Sequence, residues 1–257
     1  MPDLVLAPLW YPLLFLAGLA GGLVDTVAGG GGLITVPVLL SLGLPVPLAL
    51  GTNKFQASFG SVSAAVHYAR AGVVDIRRCV AGIACTLVGA VAGVLMLRTI
   101  DPDFLGRLVP WLLTGLVVFM LFRPRPTDVD HPPRLAEGAF FGVFGVGLGF
   151  YDGFFGPGAG TFWTLALVLV QGRNLVGATG TTKVMNATSN VASLAVFAAG
   201  GQFLLPVVAV MALGQLVGAR VGARLVVRRG ARFLQPIFLG MAGVVILRLL
   251  WVNYGGR

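Results

Sequence analysis

The chain has 257 residues, of which 57% are hydrophobic and only 11% charged, and its mean hydropathy is +0.92. A water-soluble domain carries about a quarter charged residues, so this composition excludes a soluble enzyme or binding module and specifies an integral membrane protein. The net charge of +9 does not indicate nucleic acid, because the arginines sit in short loops without aromatic interleaving or a binding motif and fit orientation by the positive-inside rule.

Apolar segments are predicted at 4–28, 33–43, 48–69, 78–97, 105–122, 135–153, 161–171, 175–199, 203–227 and 233–252. Turn chemistry separates them at Pro45/Pro47, Asp101-Pro102, the proline-rich stretch 124–133, Gly172-Arg173-Asn174 and Arg229-Gly230. No basic residue precedes Lys54 and no clear cleavage site is present, so the N-terminus reads as mature chain. The first segment ends in Asp25 followed by Gly29-Gly30-Gly31-Gly32. The second, 33–43, spans only about 16 Å as a helix, against roughly 30 Å of hydrocarbon. The third carries Thr52-Asn53-Lys54, with Gln56, Ser58 and Ser61 following, and ends near His67, Tyr68 and Arg70. The fourth holds Cys79 and Cys85 six residues apart on one predicted helix, a spacing that suits neither a disulfide nor a metal site. The linker 123–134, which contains His131, is the one strongly polar stretch.

The second half repeats the first. Asp152 precedes Gly156-Pro157-Gly158-Ala159-Gly160, and Thr181-Thr182-Lys183 follows about twenty residues on. Asp25 and Asp152 lie 127 apart, whereas Gly51/Gly180, Thr52/Thr181, Lys54/Lys183, Gly89/Gly218 and Gly93/Gly222 lie 129 apart. The basic loop swaps between the copies. Residues 70–78 hold Arg70, Arg77 and Arg78 while 199–204 hold none, and Arg228, Arg229 and Arg232 fall in the counterpart of a loop whose Arg98 and Arg107 are offset by Asp101 and Asp103. Five segments per repeat demand this inversion. The expected fold is therefore an all-α integral membrane protein of two inverted-topology repeats, 1–122 and 135–257, in one structural domain. The linker 123–134 is expected in the cytoplasm, both termini outside, and 8–43 and 135–171 as broken or re-entrant hairpins whose glycine-rich tips meet near the midplane.

Several residues could carry chemistry. Glycine lets backbone N–H groups approach a ligand, and a helix N-terminus attracts an anion, so Gly29, Gly30, Gly31, Gly32, Gly156, Gly158 and Gly160 are candidate anion ligands. Simple close packing is the alternative and is the reading for Gly89/Gly93 and Gly218/Gly222. Lys54 and Lys183 are the only lysines. Each lies well inside a span, where a charge costs on the order of 2.5–3.5 kcal/mol and faces a partner or a wet cavity unless it snorkels to the interface. With Thr52, Asn53, Thr181, Thr182 and Asn186 they form the candidate substrate site. Asp25 and Asp152 sit at the wrong end of a helix dipole for a carboxylate. They could carry protons, pair with the lysines, or bond the backbone of the glycine turn. Ser189 and Asn190 could line a polar path or bond between helices. No His-Glu-x-x-His occurs, and no metal or cofactor is expected.

On Gly22-Leu-Val-Asp-Thr-Val-Ala-Gly-Gly-Gly-Gly-Leu-Ile-Thr-Val-Pro37, Ala49-Leu-Gly-Thr-Asn-Lys54 and the weaker second copy Phe155–Gly160 with Thr181-Thr-Lys183, the chain resembles the sulfite exporter TauE/SafE family, also called the toluene sulfonate uptake permease family. The resemblance covers nearly the whole chain and implies a multi-pass permease of the inner (plasma) membrane for small sulfur-containing anions: sulfite, thiosulfate, sulfoacetate or other sulfonates. Thr182 stands where the first copy has Asn53, so the two half-sites are not equivalent. The expected partners are a small anionic substrate and the bilayer. A secondary transporter with a midplane anion site is the leading expectation. A passive anion channel is the alternative, and an intramembrane enzyme is disfavoured by the lack of a nucleophile–base pair.

Overall fold

Proline, glycine and capping side chains set the helix boundaries close to where the sequence places them. The structure, a computed structural model, describes residues 10–122 and 129–229 and is all-helical over them. The first half comprises α1 (Trp10–Ala28), α2 (Gly32–Ser41), α3 (Val46–Arg70), α4 (Val80–Leu97) and α5 (Pro102–Phe122). The second comprises α6 (Glu137–Phe140), α7 (Val146–Phe154), α8 (Ala159–Leu169), α9 (Leu175–Ala199) and α10 (Leu205–Arg229), with α6 and α7 joined by a π turn over Phe141–Gly145. The expected segment 233–252, residues 123–128 of the linker and both termini lie outside the described residues.

Pro47 falls in the first turn of α3, where a missing N–H costs nothing. The Asp101 carboxylate accepts the N–H groups of Asp103 at 2.8 Å and Phe104 at 3.0 Å and starts α5. Asn174 starts α9 by accepting the Gly177 N–H at 2.8 Å. Asp75 accepts the Arg77 N–H at 2.9 Å and opens a 3₁₀ turn, Ile76–Cys79. Cys79 therefore belongs to that turn and Cys85 to α4, rather than both to one α-helix as expected, and both thiols are free.

Among the described residues, three stretches are long and apolar enough to cross a membrane: Ile76–Leu97, Pro102–Met120 and Leu205–Val226. The 25-residue α3 and α9 are equally long but carry an inward-facing set of Thr, Asn, Lys and Ser side chains. The short α2 and α8 have 10 and 11 residues, about 15–17 Å of helix and roughly half the hydrocarbon thickness. Apolar side chains such as Leu87, Val88, Leu95, Met96 and Trp111 are exposed on the outer surface, as contact with lipid requires.

The helix contacts come in exchanged pairs. α1 lies along α10 while α7 lies along α4; α3 packs on α10 while α9 packs on α4; α3 and α9 pack on each other in the centre. Glycines make the two long contacts possible. At Gly89 and Gly93 a Cβ would collide with the α7 backbone at Val146 and Phe150, and at Gly218 and Gly222 with the α1 backbone at Leu19 and Leu23. These four residues are close-packing glycines, the role the sequence suggests for them.

Candidate functional site

The site is built where the two helical hairpins, α1–α2 and α7–α8, present their tips. Gly29 (φ +70°) and Gly156 (φ +96°) hold left-handed turns that L side chains rarely adopt. The tips touch: a Cβ on Gly160 would lie 2.5 Å from the Gly29 Cα, and one on Gly32 would lie 3.1 Å from the Pro157 Cα. The second tip is two residues longer, since Thr35 follows Asp25 by 10 positions and Thr164 follows Asp152 by 12.

The lysines meet the aspartates across the halves. Lys54 on α3 donates to the Asp152 carboxylate of α7 and, at 3.2 Å, to the Asn190 side-chain oxygen of α9. Lys183 on α9 donates to the Asp25 backbone carbonyl and, at 3.1 Å, to its carboxylate. Lys54 and Lys183 are 2% and 0% exposed, so neither snorkels to an interface. Of the three roles open to the aspartates, the structure places both in ion pairs with lysine rather than on the backbone of the glycine turn. A buried charge is tolerated only when paired and hydrogen-bonded, and the remaining Asp152 oxygen accepts from Ser189. Asn190 also donates to Ser61 at 3.2 Å, joining residues that lie 129 apart.

A small cavity of about 30 Å³ lies between the tips, room for roughly one or two water molecules. Asp25, Asp152, Asn53, Lys54 and Asn186 reach it from the candidate set, together with Gly29, Gly32, Gly156, Gly158 and Gly160. The Asn186 side-chain oxygen is buried without a hydrogen-bond partner. The other candidates do not line the cavity. Gly30 and Gly31 turn the chain into α2, Gly31 accepting at its carbonyl from Thr35. Thr52 accepts the Leu204 N–H at 3.1 Å and so secures the loop before α10. Thr181 accepts from Arg173 at 2.7 Å, Thr182 bonds Thr164 at 3.1 Å, and Lys183 reaches only Asp25.

Three supporting residues escaped the sequence reading. Thr35 donates to Asn53 at 2.6 Å and Thr164 bonds Thr182, so equivalent hydroxyls on α2 and α8 hold the two inequivalent partners. A threonine at the same repeat register in each short apolar helix, Thr35 and Thr164, was the available signal. Arg173 bridges Thr181 and Glu137, the latter at 3.2 Å.

The described residues form a helical bundle with paired hairpins and crossed buried ion pairs, and sequence comparison gives its family. The profile of the family described as sulfite exporter TauE/SafE matches residues 14–249. The "probable membrane transporter protein YfcA" of Escherichia coli K12 is 38% identical over 251 residues, 98% of this chain and 93% of that protein. A "probable membrane transporter protein" of Haemophilus influenzae is 38% identical over 93% of this chain and 94% of its own length. The Bacillus subtilis "probable membrane transporter protein YdhB" is 25% identical over 89% and 96%. No solved structure matches the chain. The chain belongs to the TauE/SafE family of membrane transporters.

Proposed function

We propose that the protein is a secondary permease of the plasma membrane for small sulfur-containing oxyanions such as sulfite, thiosulfate or organosulfonates. The observation that carries this reading is the Lys54 ammonium on a polar cavity between two glycine tips. The substrate class is taken from the family description. Backbone N–H groups at the α2 and α8 starts add positive potential without a side chain, and Lys54 adds a charge-assisted donor.

An oxyanion with three or more oxygens exceeds a cavity of about 30 Å³. Binding therefore requires the tips to part and Asp152 to leave Lys54 or to lose its charge to a proton. Parting of the tips couples occupancy to movement of one hairpin against the other, the motion that alternating access requires. The two halves are read as inverted repeats about an axis in the membrane plane, with the linker cytoplasmic. The exchanged helix contacts and the presence of Arg70 and Arg224 at one shared groove support that reading.

The test is flux into proteoliposomes from purified protein, screening sulfite, thiosulfate, sulfoacetate and sulfate, with Lys54→Ala beside the wild type. Uphill accumulation of a sulfur anion, abolished by Lys54→Ala in protein that still folds, is the expected result. Flux that never exceeds equilibrium indicates a channel, and flux unaffected by Lys54→Ala removes the site.

A further inference from the structure

A second, much larger cavity lies away from the paired tips. It occupies about 670 Å³ in a groove between the outward faces of α3 and α10, within the size range of sites that hold sizeable organic ligands. The central site is on the other side of α3, where Lys54 and Ala57 point inward. The groove walls change character along their length in the same direction. On α3, Phe55, Phe59, Val62 and Val66 lead to His67 and Arg70; on α10, Leu216 leads to Arg220 and Arg224. Phe55 to Arg70 covers about 22 Å of helix, comparable to one leaflet of the bilayer.

The cationic end is specific to this groove. His67, Arg70, Arg220 and Arg224 correspond, 129 positions away, to Val196, Ala199, Val91 and Leu95. None of the four cationic groups thus has a charged counterpart at its matching position, although Arg98 lies beside Gly200 at that end. Arg70, Arg220 and Arg224 are exposed and make no ion pair with a carboxylate among the described residues. A small hydrophilic anion would gain nothing from the apolar walls. A molecule with an anionic head and an alkyl tail matches both ends.

We propose that this groove binds an anionic glycerophospholipid, its phosphate held by Arg70, Arg220 and Arg224 and an acyl chain lying on Phe59, Val62 and Val66. Guanidinium groups suit phosphate through forked hydrogen bonds, and basic pockets between membrane helices are a physical solution for anionic headgroups.

Native mass spectrometry of the detergent-purified protein, titrated with dioleoyl phosphatidylglycerol or dioleoyl phosphatidylcholine, tests this. The wild type is expected to retain phosphatidylglycerol preferentially. Arg220→Gln/Arg224→Gln should weaken that retention about thirtyfold, and Val62→Trp, which fills the exposed apolar wall and leaves every charge in place, should also reduce it. Arg107→Gln, an exposed arginine on α5 outside the groove, should change nothing, and unchanged melting temperatures establish that the variants fold. Equal retention of the two lipids, or wild-type retention by both groove variants, overturns the proposal. So does displacement of the lipid by inorganic phosphate alone, which marks a soluble-anion site. A lipid-free dimer dispersed by the arginine substitutions also overturns it, by showing that a second copy of the chain covers the groove.

Discussion

Removing both members of the Lys183–Asp25 pair should cost clearly less than the sum of removing each alone. The Lys183 nitrogen lies 3.1 Å from the Asp25 carboxylate, with side-chain exposures of 0% and 16%. At an effective dielectric near 20, that separation corresponds to about 5 kcal/mol of attraction, an upper bound before desolvation is charged against it. Lys183→Met leaves the carboxylate without its cation, and the expected loss is about 3–5 kcal/mol. Asp25→Asn leaves the ammonium with the residue-25 backbone carbonyl and one neutral amide oxygen but no counter-charge, and should cost about 2–3 kcal/mol. The double variant removes both charges and keeps a polar partner for the backbone. Its cost should fall short of the sum of the singles by about 2–3 kcal/mol. Denaturant unfolding in detergent micelles, with helicity as the readout, supplies the four corners of the cycle. A coupling below about 0.5 kcal/mol would mean that the two groups do not sense each other, and the crossed-pair account of this site would be wrong.

Other outcomes follow from particular contacts. Gly160→Ala places a methyl 2.5 Å from the Gly29 Cα and 2.7 Å from the Asn186 amide nitrogen; backbone cannot yield there, so a loss of at least about 2 kcal/mol in unfolding measurements is expected, whereas Gly138→Ala, in open space, should be silent. Asp152→Asn retains one oxygen for Lys54 but cannot ionise; proteoliposome flux should lose its dependence on a pH gradient while anion binding persists, and intact pH dependence would exclude this carboxylate as a coupling group. In the linker, the Asn174 backbone N–H and side chain hold the Asp130 carboxyl below its ordinary range. Its contribution to docking the linker on α9 is present above the unfolded carboxylate range and lost as pH falls through the lowered value. Protease cleavage within 129–134 should rise on acidification below that point, and Asp130→Asn should remove the pH dependence.

The helix pattern was legible because each boundary is a local matter. Pro45/Pro47, Asp101-Pro102, Asn174 and the glycine runs act on their immediate neighbours, so nine of the expected segments appear within a few residues of their sequence positions. The π turn at Phe141–Gly145 carried no such local signal, and the 3₁₀ turn that separates Cys79 from Cys85 depends on how Asp75 happens to cap. The duplication likewise announced that Lys54 and Lys183, and Asp25 and Asp152, occupy equivalent places. It could not say who meets whom. Lys54 lies 98 residues from Asp152, and Lys183 lies 158 residues from Asp25. Those distances close only when the hairpins of the two halves interlock and Gly89, Gly93, Gly218 and Gly222 let α4 and α10 sit directly on the opposite half. Helix faces also sort the polar candidates: Asn53 and Lys54 turn toward the cavity, while Thr52, one step of about 100° back along α3, secures the loop at Leu204. The residue types and their spacing determined which groups had to be buried; only the packing of one half against the other decided which buried charge neutralises which, because that choice is made by through-space distance and not by any relation along the chain.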